Sequence, residues 1–208
     1  MVKLARRLGY RLLCIEASET VDYEAVARLA GELGVRLCVR VTVEGRSRRE
    51  VRAEIERVKK SSGNRLPLIV VNAKTVDSMR YSATCKEVAL TRVEPGFEKL
   101  IDKSQARLFA QRGWGAVELT LRPLLAGSGL DYLYSAVSRA LEAGVDVVVS
   151  SDSREPWEMW SPYHVVGLLV TMGVPEATAR TWVSSAPARV SERTLAESMQ
   201  HSQRLYQS

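Results

Sequence analysis

Short apolar runs alternate along the chain with segments whose apolar residues recur at helical spacing. The runs are rich in Val, Ile, Leu and Cys and show little polar alternation, which is typical of strands buried on both faces of a parallel sheet. The sequence predicts six strands, at residues 11–17, 35–43, 66–72, 87–93, 116–121 and 145–150.

The intervening segments carry the start and stop signals of helices. Ser47 is followed three residues later by Glu50, which matches the capping-box pattern, and Pro162 stands at a first helical position. Gly34 and Gly173 directly follow helical segments, as glycines at helix C-termini do. The predicted helices span residues 2–8, 22–33, 47–60, 101–111, 131–143, 161–172 and 175–184.

This repeated order of strand and helix predicts a parallel α/β fold with right-handed crossovers, either a doubly wound sheet or a β/α barrel. No GxGxxG motif follows the first strand, which argues against a dinucleotide-binding fold. Because the chain opens with a helix, a full barrel would need a further strand before it, so either the barrel is incomplete or the gene start has been placed too late. We predict one domain over residues 1–193 and a polar tail over residues 194–208.

The charge balance favours nucleic acid as a partner. The chain has 30 Lys and Arg residues against 24 Asp and Glu, a net charge of +6, and 23 of the basic residues are Arg. Arg binds phosphate in a planar fork and stacks on bases, so this composition suits RNA or DNA. Genome composition or adaptation to heat would give the same excess, so charge alone leaves the question open.

The cysteines and the apolar runs bear on the cellular compartment of the protein. Three cysteines with no CxxC pair argue against a disulfide framework and predict a reducing, cytoplasmic setting. The apolar run at residues 165–170 is far too short to span a membrane, and residues 1–8 lack the apolar region of a signal peptide. We therefore expect no membrane partner.

The chain is poor in groups that perform catalysis. It has two histidines, His164 and His201, whereas a barrel phosphoesterase needs several histidines and carboxylates converging at strand ends. Glu16, Glu44 and Asp152 lie near predicted strand ends, but such carboxylates are usually solvated or cap helices. No GxSxG motif occurs. The sequence therefore predicts no catalytic and no metal-binding residue, and a metal-dependent phosphoesterase of similar fold is the alternative hypothesis.

A basic stripe is predicted on the third helix. Residues 46–65 contain eight basic and three acidic residues, and Arg48, Arg52 and Lys59 share one helical face. Such a stripe can follow a phosphate backbone. It can equally be a solvated face with internal ion pairs, because Arg52–Glu56 and Glu56–Lys60 have i, i+4 spacing.

A second polar group follows the fifth and sixth predicted strands. Arg122 comes directly after the fifth strand, and Ser150, Ser151 and Arg154 end the sixth in the same way. Functional loops of a β/α barrel lie at these carboxyl ends, so the four residues are candidates for binding RNA or a partner protein. The other interpretation is that Arg122 neutralises a buried carboxylate such as Glu118 or Asp152.

Aromatic residues are dense just after this loop. Trp157, Trp160 and Tyr163 lie within seven residues in a chain that is 6% aromatic. They can stack on RNA bases, cover the barrel mouth or contact a protein partner. Packing and partner contact are the favoured interpretations.

Several segments together resemble a known family. They are Thr120-Leu-Arg-Pro-Leu-Leu125, the strand end at residues 147–151, Trp157 with Ser161-Pro162, and residues 101–108. In this order they are similar to archaeal ribonuclease P protein component 3, whose eukaryotic relatives are the 30-kDa subunits of ribonuclease P and ribonuclease MRP. The similarity is clearest over residues 93–191.

The resemblance implies a TIM-barrel-like fold similar to the polymerase-and-histidinol-phosphatase (PHP) barrels but without their metals. It implies a subunit that helps a catalytic RNA remove 5′ leaders from precursor tRNA. The RNA performs the hydrolysis with Mg²⁺, so the chain itself needs no cofactor, and the isolated chain is not expected to be catalytic. The implied partners are ribonuclease P RNA, precursor tRNA, protein component 2 and the other proteins of the holoenzyme.

The resemblance also bears on single residues. Arg107 and Arg122 match basic positions of the family motif, and Lys103 stands where relatives carry His. Trp160 and His164 depart from the family, which often has Arg and Asp there. The first strand usual in the family is absent, in keeping with the incomplete barrel expected from the helix at the start of the chain.

Overall fold

The fold is a parallel sheet with helices packed around it. The structure, a computed structural model, describes residues 1–18, 20–62, 66–127 and 129–205, with side chains to residue 196. The strands are β1 (Leu12–Glu16), β2 (Arg36–Gly45), β3 (Leu68–Ala73), β4 (Val88–Arg92), β5 (Ala116–Thr120) and β6 (Val147–Ser150). All six predicted strands are confirmed, with ends that differ by up to two residues.

The strands follow one another in the sheet in the order of the sequence. The order is β1-β2-β3-β4-β5-β6, and all five neighbouring pairs are parallel. Sequential parallel order with right-handed crossovers places the connecting helices on one face and curls the sheet as in a β/α barrel. No pairing joins β1 to β6 among the described residues, so the sheet is open. The predicted TIM-barrel-like fold lacking part of the barrel is confirmed.

Most of the helices were expected from the sequence. The Ser47 side chain caps its helix by accepting the Glu50 N–H at 3.2 Å, as predicted. Three helices, α4, the short α6 and α10, were not predicted. The helices are α1 (Val2–Arg7), α2 (Tyr23–Glu32), α3 (Arg48–Ser61), α4 (Val76–Thr84), α5 (Lys103–Arg112), α6 (Arg122–Leu125), α7 (Leu130–Ala143), α8 (Pro162–Thr171), α9 (Glu176–Arg180) and α10 (Ala186–Leu205).

The two faces of the sheet have different neighbours. On β3, Ile69 and Val71 point outward and pack against Val51 and Ile55 of α3. The alternate residues of the strands point to the opposite face, here called the inner face. Its half nearer the amino ends of the strands is an apolar floor, formed by Cys38, Leu68, Val70, Leu90, Ala116 and Val148.

Helix α10 covers this floor. Ala186 and Val190 belong to the same buried cluster as the floor residues. Ion pairs anchor the helix on both sides, from Arg36 Nη1 to Glu192 at 3.0 Å and from Arg189 Nη2 to Asp146 at 3.3 Å. The helix continues past residue 193, where a polar tail was expected to begin. The division into a domain and a tail stays a prediction.

Candidate functional site

A buried charge network fills the inner face at the carboxyl ends of the strands. Its centre is Glu118 of β5, whose side chain is 0% exposed. Arg40 of β2 donates from Nη1 to Oε1 at 2.6 Å and from Nη2 to Oε2 at 3.0 Å. Arg92 Nε donates to Oε2 at 2.8 Å, and Ser150 Oγ donates to Oε1 at 2.8 Å. Four strands are therefore joined through one carboxylate.

Alternation along the strands explains this convergence. Arg92 and Glu118 are directly paired across β4 and β5, so both side chains point to the inner face. Burial by itself would raise the pKa of Glu118. The charges of Arg40 and Arg92, with their hydrogen bonds, outweigh burial and hold the Glu118 pKa far below its usual value. Glu118 is therefore ionised at neutral pH although it is buried inside the sheet.

The network extends to both edges of the sheet. Arg40 Nε lies 3.2 Å from Glu16 Oε2 of β1, and Arg92 Nη2 lies 3.0 Å from Asp152 Oδ1 after β6. These are the carboxylates that a metal-dependent barrel would need at its strand ends, and guanidinium groups already bind them. The arrangement does not fit a divalent metal, and no group of three or more His, Cys, Asp or Glu suited to one occurs among the described residues.

An amide–carboxylate cluster adjoins the network. Asn72 Nδ2 donates to Glu44 at 2.9 Å and to Glu94 at 2.7 Å, and Lys74 pairs with Glu94. Burial raises the pKa of Glu94, but the hydrogen bonds from Lys74 and Asn72 outweigh it, so its pKa is lowered. Lys74 thus neutralises Glu94, while Glu44 receives a hydrogen bond from the uncharged amide of Asn72.

The loops after β5 and β6 meet through Glu158. Its Oε2 accepts from Arg122 Nη1 at 3.0 Å and from the Arg154 N–H at 2.7 Å. The Arg154 backbone hydrogen bond is the main reason that the pKa of Glu158 is lowered. Asp152, at φ +52°, is the one non-glycine residue with positive φ in the described chain, and Arg122 Nη1 lies 3.4 Å from its carbonyl oxygen.

Glu158 therefore joins the Arg122 guanidinium to the backbone of Arg154, and the binding role of these residues stays a prediction. The alternative, that Arg122 neutralises a buried carboxylate, is right about the kind of contact and wrong about the partner. The Arg122 guanidinium pairs with the partly buried Glu158, whereas Arg40 and Arg92 bind Glu118. Ser150 is turned inward to Glu118, and Ser151 is half-buried.

The aromatic residues of the same loop divide into two kinds. Trp157 is 79% exposed and Tyr163 is 76% exposed. Trp160 is partly buried against the largest core cluster, and its carbonyl accepts from Tyr10 Oη at 2.6 Å. Trp160 is therefore a packing residue, while Trp157 and Tyr163 present apolar surface to a partner or to solvent.

The second candidate surface lies on the outer helices. The lining of a groove of about 610 Å³ includes Arg48, Arg49, Arg52 and Glu56 of α3 and Asp77 of α4. Asp77 accepts the Arg48 backbone N–H at 2.6 Å, and the Arg48 guanidinium lies 5.4 Å from the ring centre of Tyr81. These three arginines form no ion pair with a carboxylate in the part of the chain that the structure describes.

Ion pairing removes Lys59 from the predicted stripe. Lys59 Nζ lies 3.1 Å from Glu56 and 3.5 Å from Glu87, and the neighbouring Arg57 pairs with Glu54 at 2.7 Å. The i, i+4 pairs expected from the sequence, Arg52–Glu56 and Glu56–Lys60, do not form among the described contacts. The half of α3 that begins at Arg48 thus keeps its free positive charge.

Helix α4 connects this surface to α5. Arg80 of α4 donates to Asp102 at 2.5 Å and to Gln105 at 3.1 Å, which holds α5 alongside. Lys103 and Arg107 lie one turn apart on α5, and both are exposed. We call the exposed cations of α3 and α5 the α3–α5 band; they are Arg48, Arg49, Arg52, Lys103 and Arg107.

Sequence reasoning missed two parts of these sites. It did not find Arg40 and Arg92, although each is a charged residue inside an apolar strand, which was the available signal. It also treated the basic positions of α3 and α5 separately, because α4, which joins them, was not predicted.

Comparisons with known proteins agree with one another. A sequence model of the family described as RNase P subunit p30 matches residues 1–198. Ribonuclease P protein component 3 of Aeropyrum pernix is 34% identical over 194 residues, which cover 91% of this chain and 89% of that protein. A chain in the cryo-EM structure of archaeal Ribonuclease P with mature tRNA shares the fold, with a TM-score of 0.74, 18% identity, and coverage of 93% of this chain and 86% of that one.

Proposed function

This chain belongs to the RNase P subunit p30 family, and from that premise we propose that it is a protein subunit of ribonuclease P that assists a catalytic RNA in removing 5′ leaders from precursor tRNA. The observation that carries the proposal is the family match over residues 1–198. Hydrolysis, with Mg²⁺, is assigned to the RNA. The chain supplies positive charge and binding surface, and a cytoplasmic location stays a prediction.

The α3–α5 band is the proposed contact with ribonuclease P RNA or precursor tRNA. A cation without a carboxylate partner can neutralise a phosphate and release its condensed counterion, which favours RNA binding. A paired cation such as Lys59 must first give up its own partner. Arg49, Arg52, Lys103 and Arg107 are therefore expected to contribute more to RNA binding than Lys59 or Arg57.

The loop surface around Arg122 and Trp157 is the proposed contact with another protein of the holoenzyme, such as component 2. Exposed Trp and Tyr next to Arg are the residue types enriched where proteins bind one another. Trp157 and Tyr163 are exposed, and Glu158, which follows Trp157 in the chain, binds the Arg122 guanidinium and the Arg154 backbone N–H. Arg122 is thus presented in one defined position.

The alternative hypothesis of a metal-dependent phosphoesterase has little support from the residues. A barrel of that type needs free carboxylates and histidines at the strand ends. In this chain Glu118, Glu16 and Asp152 are bound by Arg40 and Arg92.

Reconstitution tests the proposal. The chain is added, with the other protein subunits, to ribonuclease P RNA, and cleavage of precursor tRNA is measured at modest Mg²⁺ concentration over a range of salt. We expect the double variant Arg49→Gln/Arg52→Gln to lower cleavage about tenfold. The slope of the logarithm of the RNA-binding constant against the logarithm of salt concentration should become shallower, by the equivalent of about one to two phosphate contacts.

A matched control removes the same charge elsewhere. Arg57 and Arg180 are exposed and are paired with Glu54 and Glu176, respectively. The double variant Arg57→Gln/Arg180→Gln should keep nearly full cleavage. Equal losses of cleavage in the two double variants would show that only net charge matters. The α3–α5 band would then be excluded as a specific RNA contact. A wild-type chain with no effect on cleavage would overturn the proposed function itself.

A further inference from the structure

Two cysteines stand side by side on neighbouring strands. Cys14 of β1 and Cys38 of β2 are directly paired in the parallel register of the two strands. Both side chains point to the inner face, where Cys38 is part of the apolar floor and Cys14 packs against it. Both are free thiols in this structure. The proposed RNA and protein contacts make no use of this pair.

The spacing of the strands suits a bond between the two sulfur atoms. Neighbouring strands lie about 4.8 Å apart, so directly paired residues have their Cα atoms at about that distance. A disulfide accepts Cα separations of about 4.4–6.8 Å, and its two Cβ atoms must point toward each other's side of the backbone. Because Cys14 and Cys38 are in register and share one face, a bond between them requires rotation of side chains rather than movement of strands.

The surroundings activate one thiol of the pair. The pKa of Cys38 is lowered mainly because Cys14 hydrogen-bonds to its sulfur; Ser191 of α10 and the charge of Arg40 add to this effect, and together they outweigh burial. The same hydrogen bond, together with burial, raises the pKa of Cys14. Cys38 is therefore the sulfur that ionises first, and Cys14 is its hydrogen-bond donor. The thiolate is the nucleophile in disulfide formation, and here it has a thiol in contact.

The pair is accessible from the edge of the sheet. Cys14 is only partly buried, whereas Cys38 is 8% exposed. In the described part of the sheet, β2 is the one strand that pairs with β1. A small molecule can therefore reach the two sulfurs past β1.

The third cysteine is in a different environment. Cys85 belongs to the cluster on the outer face of the sheet, with Val51 and Ile55 of α3. Its sulfur lies 3.2 Å from Glu87 Oε2, and its pKa is raised, mainly by burial. Cys85 is thus on the opposite face from Cys14 and Cys38, so it cannot pair with either, and it serves as an internal control.

We infer that Cys14 and Cys38 form a redox-active pair that a peroxide converts reversibly into an intrachain disulfide. The Cys38 thiolate attacks one oxygen of hydrogen peroxide, the O–O bond breaks, and the sulfur becomes a sulfenic acid as hydroxide leaves. The Cys14 sulfur then attacks the sulfenic sulfur, so that the S–S bond forms and the S–O bond breaks. The thiol hydrogens and the peroxide leave as two molecules of water, and the peroxide takes up the two electrons that the sulfurs lose. A dithiol reductant reverses the reaction by thiol–disulfide exchange.

The disulfide would fasten the edge strand to the sheet. β1 carries Glu16, whose Oε2 lies 3.2 Å from Arg40 Nε at one end of the Glu118 network. A cross-link between Cys14 and Cys38 removes conformational freedom from the unfolded chain, so it favours the folded state. Oxidation is thus expected to stabilise the protein. The inference does not depend on the proposed function, because it concerns a reaction of this chain alone.

The test treats the purified full chain with hydrogen peroxide and counts its free thiols after denaturation. Of the three thiols, two should be lost, and mass mapping should find the peptides of Cys14 and Cys38 joined. The melting temperature should be about 5–10 °C higher in the oxidised than in the reduced chain. Dithiothreitol should restore both thiols and the lower melting temperature.

Single substitutions provide the controls. Cys85→Ser should lose both remaining thiols and gain stability on oxidation, as the wild type does. Cys14→Ser should form no intrachain disulfide, and its melting temperature should not rise with peroxide. The mapping in the wild type and in Cys85→Ser needs no change in the pair, so it decides the inference even if Cys14→Ser does not fold. Thiols that resist peroxide, or that are oxidised without joining Cys14 to Cys38, would overturn the inference.

Discussion

Arg40 and Glu118 are separated by 78 residues in the chain, yet Nη1 of the arginine lies 2.6 Å from Oε1 of the glutamate inside the sheet. Arg92 approaches the same carboxylate from β4 at 2.8 Å. One anion between two cations offsets the cost of burying all three, and each member depends on the others. The carboxyl end of this barrel is therefore held together by ion pairs.

Removing the charge of Glu118 should strongly destabilise the fold. Glu118→Gln leaves two buried guanidinium groups with less compensation, and we expect a loss of about 3–5 kcal/mol in the free energy of unfolding. Denaturant titration followed by circular dichroism would measure it. Glu176→Gln, which breaks an exposed pair with Arg180, should cost no more than about 1 kcal/mol. Similar losses for the two variants would contradict the assigned role of Glu118.

Acid should destabilise the protein through the same carboxylate. The pKa of Glu118 is lower in the folded than in the unfolded chain, so its contribution is complete above the unfolded value of about 4.3 and is lost as pH falls below it. We expect the free energy of unfolding to fall steeply below about pH 4. In Glu118→Gln the slope should be shallower, and an identical slope in both proteins would assign acid sensitivity to other groups.

Alkali should act through buried tyrosines. Burial raises the pKa of Tyr10 to about 12, and it also raises the pKa of Tyr132, whose hydroxyl donates to the Val93 carbonyl at 2.6 Å. Their contribution is therefore present below the unfolded value of about 10 and is lost as pH rises above it. Absorbance at alkaline pH should show some tyrosines ionising only together with unfolding. Tyr132→Phe should reduce that late component, and a single smooth ionisation of all tyrosines would argue against the prediction.

A pair of variants can distinguish binding by Arg122 from a purely structural role. Arg122→Ala removes the guanidinium, whereas Glu158→Gln leaves it in place and removes the charge that neutralises it. If Arg122 contacts RNA or a partner protein, cleavage in the reconstituted particle should fall about tenfold in the first variant and stay near normal in the second. Equal losses would mean that the ion pair only shapes the loop.

Helix α10 should be essential for the fold over its first half. Val190 is buried on the apolar floor, so Val190→Asp should cost about 3 kcal/mol or more in the free energy of unfolding. Leu195 is 53% exposed on the same helix, and Leu195→Asp should change stability by no more than about 0.5 kcal/mol. Thermal unfolding of the two variants provides the comparison, and equal melting temperatures would show that α10 does not hold the floor.

The sequence predicted the strands well because each is a short apolar run between helix signals. It missed α4, whose Thr75–Ser78 capping box is clear in the structure but whose length and polar content hide the helical period. It also missed α10, because small and polar residues dominate its sequence and its burial depends on a sheet formed by distant segments.

The partners of charged side chains were harder to predict than the strands. Whether Glu118 meets Arg122 or Arg40 depends on strand order and register, and neither can be derived from local pattern. The sequence placed Arg122 correctly at a strand end, since that follows from local order. It could not show that Glu158, 36 residues further on, would be its partner.

The position of α10 makes burial of the apolar floor depend on the order in which the chain is synthesised. The floor residues of β2 to β6 are all synthesised before Ala186 and Val190, the residues that cover them. A nascent chain that has released the six strands therefore exposes this apolar surface to solvent until α10 has also left the ribosome. We expect the sheet to stay incompletely folded until α10 has been synthesised, and chaperones that hold apolar segments to have their main opportunity in that interval.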